Sequence, residues 1–363
     1  MESSYGKKLI IWTKGLDDFL EGSAKFNGGI AVQLTFWAKA FLAQGWTVYS
    51  FSKRADAKIH GINFIEYRSR SGPVAAVFDC FAPLFFFYRI RPEAVIFRGA
   101  SRNLFFVSLW ARVLGIKVIF MGAHDTDFEP SKEIINRVHD KLVYRAGVRL
   151  TNNVIVQNHT QKTLLDKFYG RKKSILIPNI WGGDDLAPAV SLGQEDYLLW
   201  VSNFHRRKRP QLYIDLARQI PARQFLMIGG DNDRTLYTEC NQLASTVNNL
   251  YFLGGLPFLL ANAYFRNARV FICTSESEGF PNTFLQAWAN EIPVVTTFDP
   301  GGVISANALG IVVADLNDLV SATNQLLNDV DLYNSFAKNI RAYFKANHDA
   351  DYAYCRLTEF MSL

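Results

Sequence analysis

The residues best suited to chemistry are concentrated in one segment, residues 275–289. Glu278 stands just before a Gly-Phe-Pro-Asn turn, and Asn282 at the end of that turn is predicted to cap the helix that follows. Free N–H groups and the dipole at a helix start attract a diphosphate, while a carboxylate accepts hydrogen bonds from sugar hydroxyls. Gln286 follows two helical turns later and can offer its amide to a ribose. A capped helix beside an incidental acidic residue is the plain structural alternative.

A second candidate for phosphate binding follows the first predicted strand. Gly28 and Gly29 open a helix there, so backbone N–H groups can approach a phosphate with no Cβ in the way. Glycine pairs also precede helices for purely structural reasons. The chain contains neither G-x-G-x-x-G nor a Walker sequence, which disfavours a dinucleotide-binding or P-loop protein.

Strands and helices alternate along the whole chain, and this order predicts where such residues meet. The predicted strands are 9–13, 47–51, 94–97, 117–121, 154–157, 175–177, 197–201, 225–228, 250–252, 270–274 and 293–296. Helical patterns lie between them, for example 30–44 and the segment that begins at Pro210. We therefore predict an α/β protein with two Rossmann-like domains, whose strands end at a shared central cleft.

The domain boundaries follow from composition and pattern. Residues 181–191 lack periodicity and are rich in Gly and Asp, which is typical of a linker. We predict an N-terminal domain over 1–180 and a C-terminal domain over 181–347. The tail is helical by pattern, and its last helix, about 348–363, is predicted to pack back on the first domain. A chain of 363 residues is also long enough for roughly two domains of about 150 residues.

Composition excludes several classes of protein. Hydrophobic residues make up 49% and charged residues 20%, as in an ordinary globular protein and unlike a disordered one. Four well-separated cysteines form no metal-binding or disulfide pattern. The first residues do not resemble a signal peptide, and no apolar stretch reaches the length of a membrane span. These features predict a cytoplasmic protein.

Charge divides unevenly between the two halves of the chain. Residues 1–180 hold 26 basic and 14 acidic residues, a balance of +12, and the remainder holds 13 basic and 19 acidic residues, a balance of −6. Such a basic half favours contact with an anionic surface, substrate or polymer, although a merely solvated basic face stays open. Nucleic-acid binding is disfavoured because no recognised motif occurs.

Several short motifs together resemble one family, the retaining glycosyltransferases of family 4 with the GT-B fold. The segments that carry the resemblance are Gly28-Gly29, His124, Ile177-Pro178-Asn179, Trp200-Val201-Ser202-Asn203, Lys208-Arg209-Pro210, Ile228-Gly229-Gly230, Phe252-Leu253-Gly254 and the Glu278 loop. The resemblance spans nearly the whole chain. It implies that the second domain binds a UDP- or GDP-linked sugar donor and the first binds a glycan or lipid-linked acceptor.

The resemblance also assigns roles by position. Glu278 would hold hydroxyls of the donor sugar, Gln286 the ribose, and Lys208 would neutralise the diphosphate leaving group. Two residues depart from the family pattern: Gln286 replaces a second glutamate, and Asn203 replaces a phosphate-binding arginine, a cation that Arg206 or Arg207 could supply. The predicted donor-binding residues are Gly28, Gly29, Asn203, Arg206, Arg207, Gly279, Phe280, Pro281, Asn282, Thr283 and Gln286.

His124 follows a predicted strand and completes the predicted catalytic set with Glu278 and Lys208. Its imidazole could bond a donor hydroxyl or the developing charge, or be purely structural. Asp125 and Asp127 imitate the D-x-D metal motif of another glycosyltransferase fold. We predict instead that no metal or cofactor is needed, because cationic side chains replace the ion, and that Asp125 or Asp127 contacts the acceptor.

The implied reaction retains the configuration of the transferred hexose, with the acceptor attacking from the face that the diphosphate leaves. Catalysis would rest on positioning and on cations aimed at the departing charge. An acceptor in bacterial surface polysaccharide synthesis suits the basic half, and residues 78–91 are predicted to be either an interfacial helix or an ordinary core helix. The alternative function is a non-catalytic protein that binds a nucleotide sugar, which the departures at Asn203 and Gln286 favour.

Overall fold

The computed structural model describes residues 6–21, 29–54, 57–67, 73–182 and 196–363, without the side chains of 73–78. These residues form two compact units. The first unit contains the described residues up to Gly182 together with Ala350–Leu363, and the second extends from residue 196 to Asp349. Gly28 and most of the predicted linker lie outside the described residues.

The first unit is built on a sheet that, in the described part of the chain, has eight strands in the order β3-β4-β2-β1-β5-β6-β7-β8. Its strands are β1 (Lys8–Lys14), β2 (Thr47–Ser52), β3 (Ala57–Ile59), β4 (Ile62–Glu66), β5 (Ala94–Arg98), β6 (Lys117–Met121), β7 (Asn153–Val156) and β8 (Lys173–Leu176). All pairings are parallel except β3 with β4.

Helices connect these strands. They are α1 (Leu16–Leu20), α2 (Gly29–Ala43), α3 (Pro73–Ile90), α4 (Asn103–Val113), α5 (Val138–Leu150) and α6 (His159–Tyr169). The central strands are apolar on both faces because helices cover both sides of a parallel sheet. In β1, for example, Leu9, Ile10 and Ile11 are completely buried.

The second unit carries a parallel sheet in the order β11-β10-β9-β12-β13-β14. Its strands are β9 (Tyr197–Val201), β10 (Phe225–Ile228), β11 (Leu250–Gly254), β12 (Ala268–Cys273), β13 (Val294–Thr296) and β14 (Gly310–Val312). Its helices are α7 (Pro210–Gln219), α8 (Arg234–Ala244), α9 (Phe258–Ala263), α10 (Asn282–Ala289), α11 (Val303–Asn307), α12 (Leu316–Asn328) and α13 (Val330–Asn347).

The last helix, α14 (Ala350–Met361), belongs to the first unit. The Trp46 indole donates a hydrogen bond of 2.8 Å to the Tyr354 hydroxyl. The Lys117 ammonium donates to the carbonyls of Met361 and Ser362 at 3.1 and 2.7 Å. Residues at the far end of the chain thus help to build the N-terminal sheet unit.

The predicted fold class, two Rossmann-like α/β sheets, is confirmed. The strands 117–121, 197–201 and 225–228 have the predicted bounds. Three short strands were not predicted, namely β3, β4 and β14. Among the described residues, no helix combines the length and apolar character needed to cross a membrane.

Candidate donor and acceptor sites

The candidate donor site in the second unit begins where β9 ends. A short 3₁₀ turn, Arg206–Lys208, follows that strand and is capped by His205, whose side chain accepts a hydrogen bond from the Arg207 N–H. Arg209 takes a left-handed conformation, with φ of 46°, and Pro210 starts α7 at a position where its missing N–H costs nothing. Arg206 and Arg207 are exposed, whereas Lys208 is turned partly inward.

Lys208 and Glu278 form an ion pair between two loops that are 70 residues apart in sequence. Each side chain is 14% exposed, so both charges are largely shielded from water. The Ser275 hydroxyl donates a further hydrogen bond of 2.9 Å to the same Glu278 carboxylate. The two residues that the sequence predicts for the donor sugar and the leaving group are therefore in contact.

Hydrogen bonds to backbone carbonyls hold the same two loops together. The Thr274 hydroxyl donates to the Lys208 carbonyl at 2.6 Å, and the Arg209 Nε donates to the Thr274 carbonyl at 2.9 Å. The Glu276 N–H donates to the Arg207 carbonyl at 2.9 Å. This network fixes the backbone on both sides of the ion pair, so the positions of Lys208 and Glu278 are set by the fold.

The start of α10 differs by one residue from the prediction. Pro281 occupies the capping position, with φ of −66° and ψ of 124°, and Asn282 is already the first helical residue. The prediction that Asn282 caps this helix is therefore wrong, because the proline holds the extended conformation of the cap. Gly279 is buried, and Thr283 is half-buried in the first turn of α10.

Gln286 lies on α10 but faces the interior. It is 3% exposed, and its amide donates a hydrogen bond of 3.1 Å to the side-chain oxygen of Asn262, which is itself buried. Its contact with a ribose stays a prediction.

Asn203 is half-buried in a loop braced against the end of β10. The Ser202 N–H donates to the Ile228 carbonyl at 3.0 Å, and the Phe204 N–H donates to the Gly230 carbonyl at 2.9 Å. A Cβ on Gly229 would lie 2.0 Å from the Ser202 carbonyl oxygen, so only glycine fits there. The loop after β9 and the loop after β10 thus lie close together, with Asn203 next to Gly229 and Gly230.

Phe280, at the turn after Glu278, packs into an aromatic cluster. Its ring lies 5.3 Å from that of His348 and 5.9 Å from that of Trp288. His348 also contacts the rings of Tyr343 and Phe344, and it is completely buried. The turn that carries Glu278 is thus fixed to the end of α13.

The first unit holds the candidate acceptor residues after β6. His124 precedes a 3₁₀ turn, Asp125–Phe128. The Asp127 carboxylate accepts hydrogen bonds from the N–H groups of Ala123 and His124 at 2.7 and 3.1 Å, and Asp127 is 1% exposed. Burial raises the pKa of this carboxyl group above its ordinary value.

These contacts give Asp125 and Asp127 different surroundings. Asp127 holds the backbone of the turn that carries His124. Asp125 is half-buried and accepts a hydrogen bond of 3.1 Å from the Asn158 amide. Contact with the acceptor stays a prediction, and Asp125 is the more accessible of the two. Gly29, exposed at the start of α2, also keeps its predicted donor role untested.

Sequence reasoning missed Arg98, the last residue of β5. Its guanidinium donates a hydrogen bond of 2.6 Å to the side-chain oxygen of Asn179. Burial lowers the pKa of Arg98 to about 10, so the side chain is still charged at neutral pH. Two features of the sequence could have indicated Arg98: it is a basic residue at the end of a predicted strand, and its partner Asn179 belongs to the Pro178-Asn179 motif.

Among the described residues, no group of three or more His, Cys, Asp or Glu side chains is arranged to hold a metal ion. Of the three basic residues in the 3₁₀ turn, Lys208 pairs with Glu278, whereas Arg206 and Arg207 are exposed.

The second unit resembles a known protein family. Residues 195–329 match the family model of glycosyl transferases group 1. The second unit carries a group 1 glycosyl transferase domain. The predicted resemblance is therefore confirmed over this domain. A search of curated protein sequences finds no match.

Solved structures extend the fold comparison to the whole chain. A sucrose-phosphate synthase from Thermosynechococcus elongatus superposes with a TM-score of 0.76 at 18% identity, covering 98% of both chains. A UDP-forming α,α-trehalose-phosphate synthase from Burkholderia xenovorans, in complex with glucose-6-phosphate, gives 0.70 at 10% identity over 99% of this chain and 100% of its own.

A third solved structure has a different activity. The UDP-GlcNAc 2-epimerase from Neisseria meningitidis, bound to UDP-GlcNAc, gives a TM-score of 0.63 at 12% identity over 98% of this chain and 99% of its own. Identities this low establish the shared GT-B fold alone.

Proposed function

We propose that this protein is a retaining glycosyltransferase that moves a hexose from a UDP- or GDP-linked donor to a hydroxyl group of an acceptor. The contact between Lys208 and Glu278 is the observation that carries the proposal. It supports the proposal because a cation suited to a leaving diphosphate lies beside a carboxylate suited to sugar hydroxyls, in the segment that matches the group 1 glycosyl transferase model. The GT-B fold also occurs in an epimerase, so the argument depends on this site and not on the fold.

In the proposed reaction, the bond between the sugar C1 and the diphosphate oxygen breaks, and a bond from C1 to the acceptor oxygen forms on the same face. The acceptor proton passes to the leaving diphosphate oxygen. Lys208, with Arg206 and Arg207 in the same turn, stabilises the charge that develops on that oxygen. Glu278 orients the sugar, and His124 contacts a donor hydroxyl. Cationic side chains supply the charge, so we propose that neither a metal nor a cofactor is required.

The acceptor is proposed to be a glycan or a lipid-linked sugar of bacterial surface polysaccharide synthesis, used at the inner face of the membrane. Helix α3 supports this proposal. Phe81, Phe85 and Tyr88 recur along one side of it and are 52%, 57% and 74% exposed, whereas Phe86 and Phe87 are buried. Exposed arginines follow at 89 and 91. Aromatic and basic side chains together suit the surface of an anionic bilayer.

The alternative function is a non-catalytic protein that binds a nucleotide sugar. Asn203 in place of a cation and the buried pair of Gln286 with Asn262 favour it. Because binding alone needs no acceptor, turnover separates the two functions.

The test is donor turnover with Lys208→Ala and Glu278→Ala, preceded by a thermal-shift panel of UDP, GDP, ADP and CMP and their sugar conjugates. Loss of one preorganised cation costs about 10²- to 10³-fold in kcat. The matched control is Arg218→Ala, which removes a cation of the same unit from an exposed pair with Asp215. Normal rates in the two site variants would refute the transferase proposal, and ligand binding by the wild type without turnover under any condition would favour the alternative.

A further inference from the structure

We propose that Arg98 and the ends of strands β5, β6 and β7 form a binding site for a phosphate group of the acceptor. The assignment of this phosphate to an acceptor rests on the proposed function. The site itself rests on the contacts of the first unit.

Arg98 is a shielded cation that, among the described residues, has no carboxylate in contact with it. Its guanidinium donates a hydrogen bond to the neutral side chain of Asn179, which is 4% exposed. Its Nε is buried without a hydrogen-bond partner, and no carboxylate among the described residues lies within ion-pair distance of its guanidinium. An enclosed charge is expected to be paired, so a ligand anion is the missing partner.

Other arginines of the same unit show the usual arrangement. Arg145 donates two hydrogen bonds to the Glu133 carboxylate, at 2.5 and 3.1 Å. Arg102 lies 3.4 Å from Asp140 and 3.8 Å from Asp79. Arg98 therefore differs from its neighbours in having its charge uncompensated by contact.

Asp127 is the acidic residue whose charge acts on Arg98. Its carboxylate is already engaged, since it accepts the N–H groups of Ala123 and His124. The charge of Asp127 therefore reduces the electrostatic cost of burying Arg98. Because Asp127 does not contact the guanidinium, the guanidinium can still bind a ligand.

Further polar atoms without partners lie at the same edge of the sheet. The side-chain oxygens of Asn103, Thr126 and Gln157 are buried and make no hydrogen bond within the described residues. Asn103 begins α4, Thr126 follows β6, and Gln157 follows β7. Because β5, β6 and β7 are adjacent and parallel, their carboxyl ends meet at one edge, the usual ligand-binding edge of such sheets.

This set of groups suits a phosphate bound to a sugar or to a lipid. The planar guanidinium matches phosphate oxygens, and Asn179 fixes its orientation by holding one nitrogen. The unpaired oxygens can accept hydrogen bonds from hydroxyl groups next to that phosphate. A soluble sugar phosphate and a polyprenyl-linked phosphate share this chemistry.

The experiment compares full-length Arg98→Gln and Arg98→Lys with the parent protein, all in a Lys208→Ala background that removes the donor-site cation. The probes for calorimetry are inorganic phosphate and glucose 6-phosphate, and those for co-sedimentation are phosphatidylcholine vesicles with or without a polyprenyl phosphate. Arg112→Gln, an exposed arginine on α4, is the control.

Arg98→Gln is expected to weaken binding of the phosphate probe by about 10- to 100-fold, the effect of losing a charge-assisted contact. Arg98→Lys keeps the charge and should weaken binding less, which keeps the test valid if the glutamine variant fails to fold. Binding of glucose 6-phosphate alone would assign a soluble acceptor, and binding of the polyprenyl phosphate vesicles alone a lipid-linked one.

The proposal is overturned if no probe binds the parent protein, or if the Arg98→Gln variant binds the probe as tightly as the parent protein does. Binding of UDP, GDP and their hexose conjugates is measured separately with Lys208 intact, in the presence and absence of the Arg98→Gln substitution. A protein that binds phosphate through Arg98 but binds no nucleotide sugar would keep this site and refute the proposed function.

Discussion

Replacing Glu278 with glutamine is expected to strengthen binding of a free nucleoside diphosphate while it weakens binding of the nucleotide sugar. In the structure Glu278 holds the ammonium group of Lys208, the cation assigned to the diphosphate. A diphosphate must therefore compete with Glu278 for Lys208. Glutamine has nearly the same shape without the charge, so Glu278→Gln releases Lys208 for the ligand.

The magnitude follows from the burial of the pair. Two unit charges about 4 Å apart attract by about 4 kcal/mol at an effective dielectric constant of about 20. Desolvation offsets most of this energy, and pairs on protein surfaces contribute about 1 kcal/mol or less. At 14% exposure of both side chains we take about 1 kcal/mol, which corresponds to about fivefold tighter binding of the diphosphate.

The sugar conjugate should respond in the opposite direction. A carboxylate that accepts hydrogen bonds from sugar hydroxyls contributes about 1.5 to 3 kcal/mol, or about 10- to 150-fold. After the fivefold gain at Lys208, we expect binding of the nucleotide sugar to weaken by about tenfold.

The assay is isothermal titration calorimetry of the wild type, Glu278→Gln and Ser275→Ala with UDP, GDP and their hexose conjugates. Ser275→Ala is the matched control, because it removes one hydrogen bond to the carboxylate and leaves the ion pair in place. A diphosphate affinity that falls in Glu278→Gln, or that stays unchanged, would refute the competition between ligand and carboxylate for Lys208.

Three further outcomes are expected. Gly229→Ala should lower stability by about 3 kcal/mol because its Cβ would lie 2.0 Å from the Ser202 carbonyl oxygen. Gly115→Ala, in open space, should lose only about 1 kcal/mol from its positive φ, so equal melting temperatures of the two variants would contradict this reasoning. Burial raises the pKa of Asp127 above 3.8, so its contribution to stability is complete below that value and is lost as the pH rises through the folded-state pKa. The melting temperature of Asp127→Asn should therefore rise relative to that of the wild type as the pH increases above about 4, and a difference that stays constant with pH would contradict the raised pKa of Asp127. The double variant Phe85→Ser, Tyr88→Ser should reduce co-sedimentation with anionic vesicles about tenfold. Tyr251→Ser, which removes an exposed aromatic side chain from the second unit, should leave it unchanged. If the wild type does not bind such vesicles at low salt, the membrane proposal is wrong.

The regular elements could be predicted because they follow from local pattern. Runs such as 118–121 and 197–201 are apolar throughout and lie next to turn residues, which is typical of strands buried on both faces. The missed strands β3 and β14 are three residues long, and β3 is partly exposed, so neither produces a clear periodicity. Strands at sheet edges depend on pairing partners that a local window does not contain.

The site was only partly predictable for a related reason. The role of Glu278 was predicted from its own loop and that of Lys208 from the resemblance, yet their contact joins loops 70 residues apart, which no local pattern contains. Asp127 and Gln286 were assigned to ligands, and the structure buries both. Arg98 was missed because only the folded chain shows that no described carboxylate contacts its guanidinium. Side-chain direction and pairing are decided by tertiary packing.

The position of α14 has a consequence for biosynthesis. Tyr354 and the carbonyls of Met361 and Ser362 complete hydrogen bonds of the first unit, but the ribosome makes them only after the whole second unit. At about 5 to 20 residues per second, the N-terminal sheet waits for roughly ten seconds or more without its last helix. During that interval the indole of Trp46 and the surface of α2 lack the helix that packs on them. The first unit can therefore complete its packing only after the whole second unit has been synthesised.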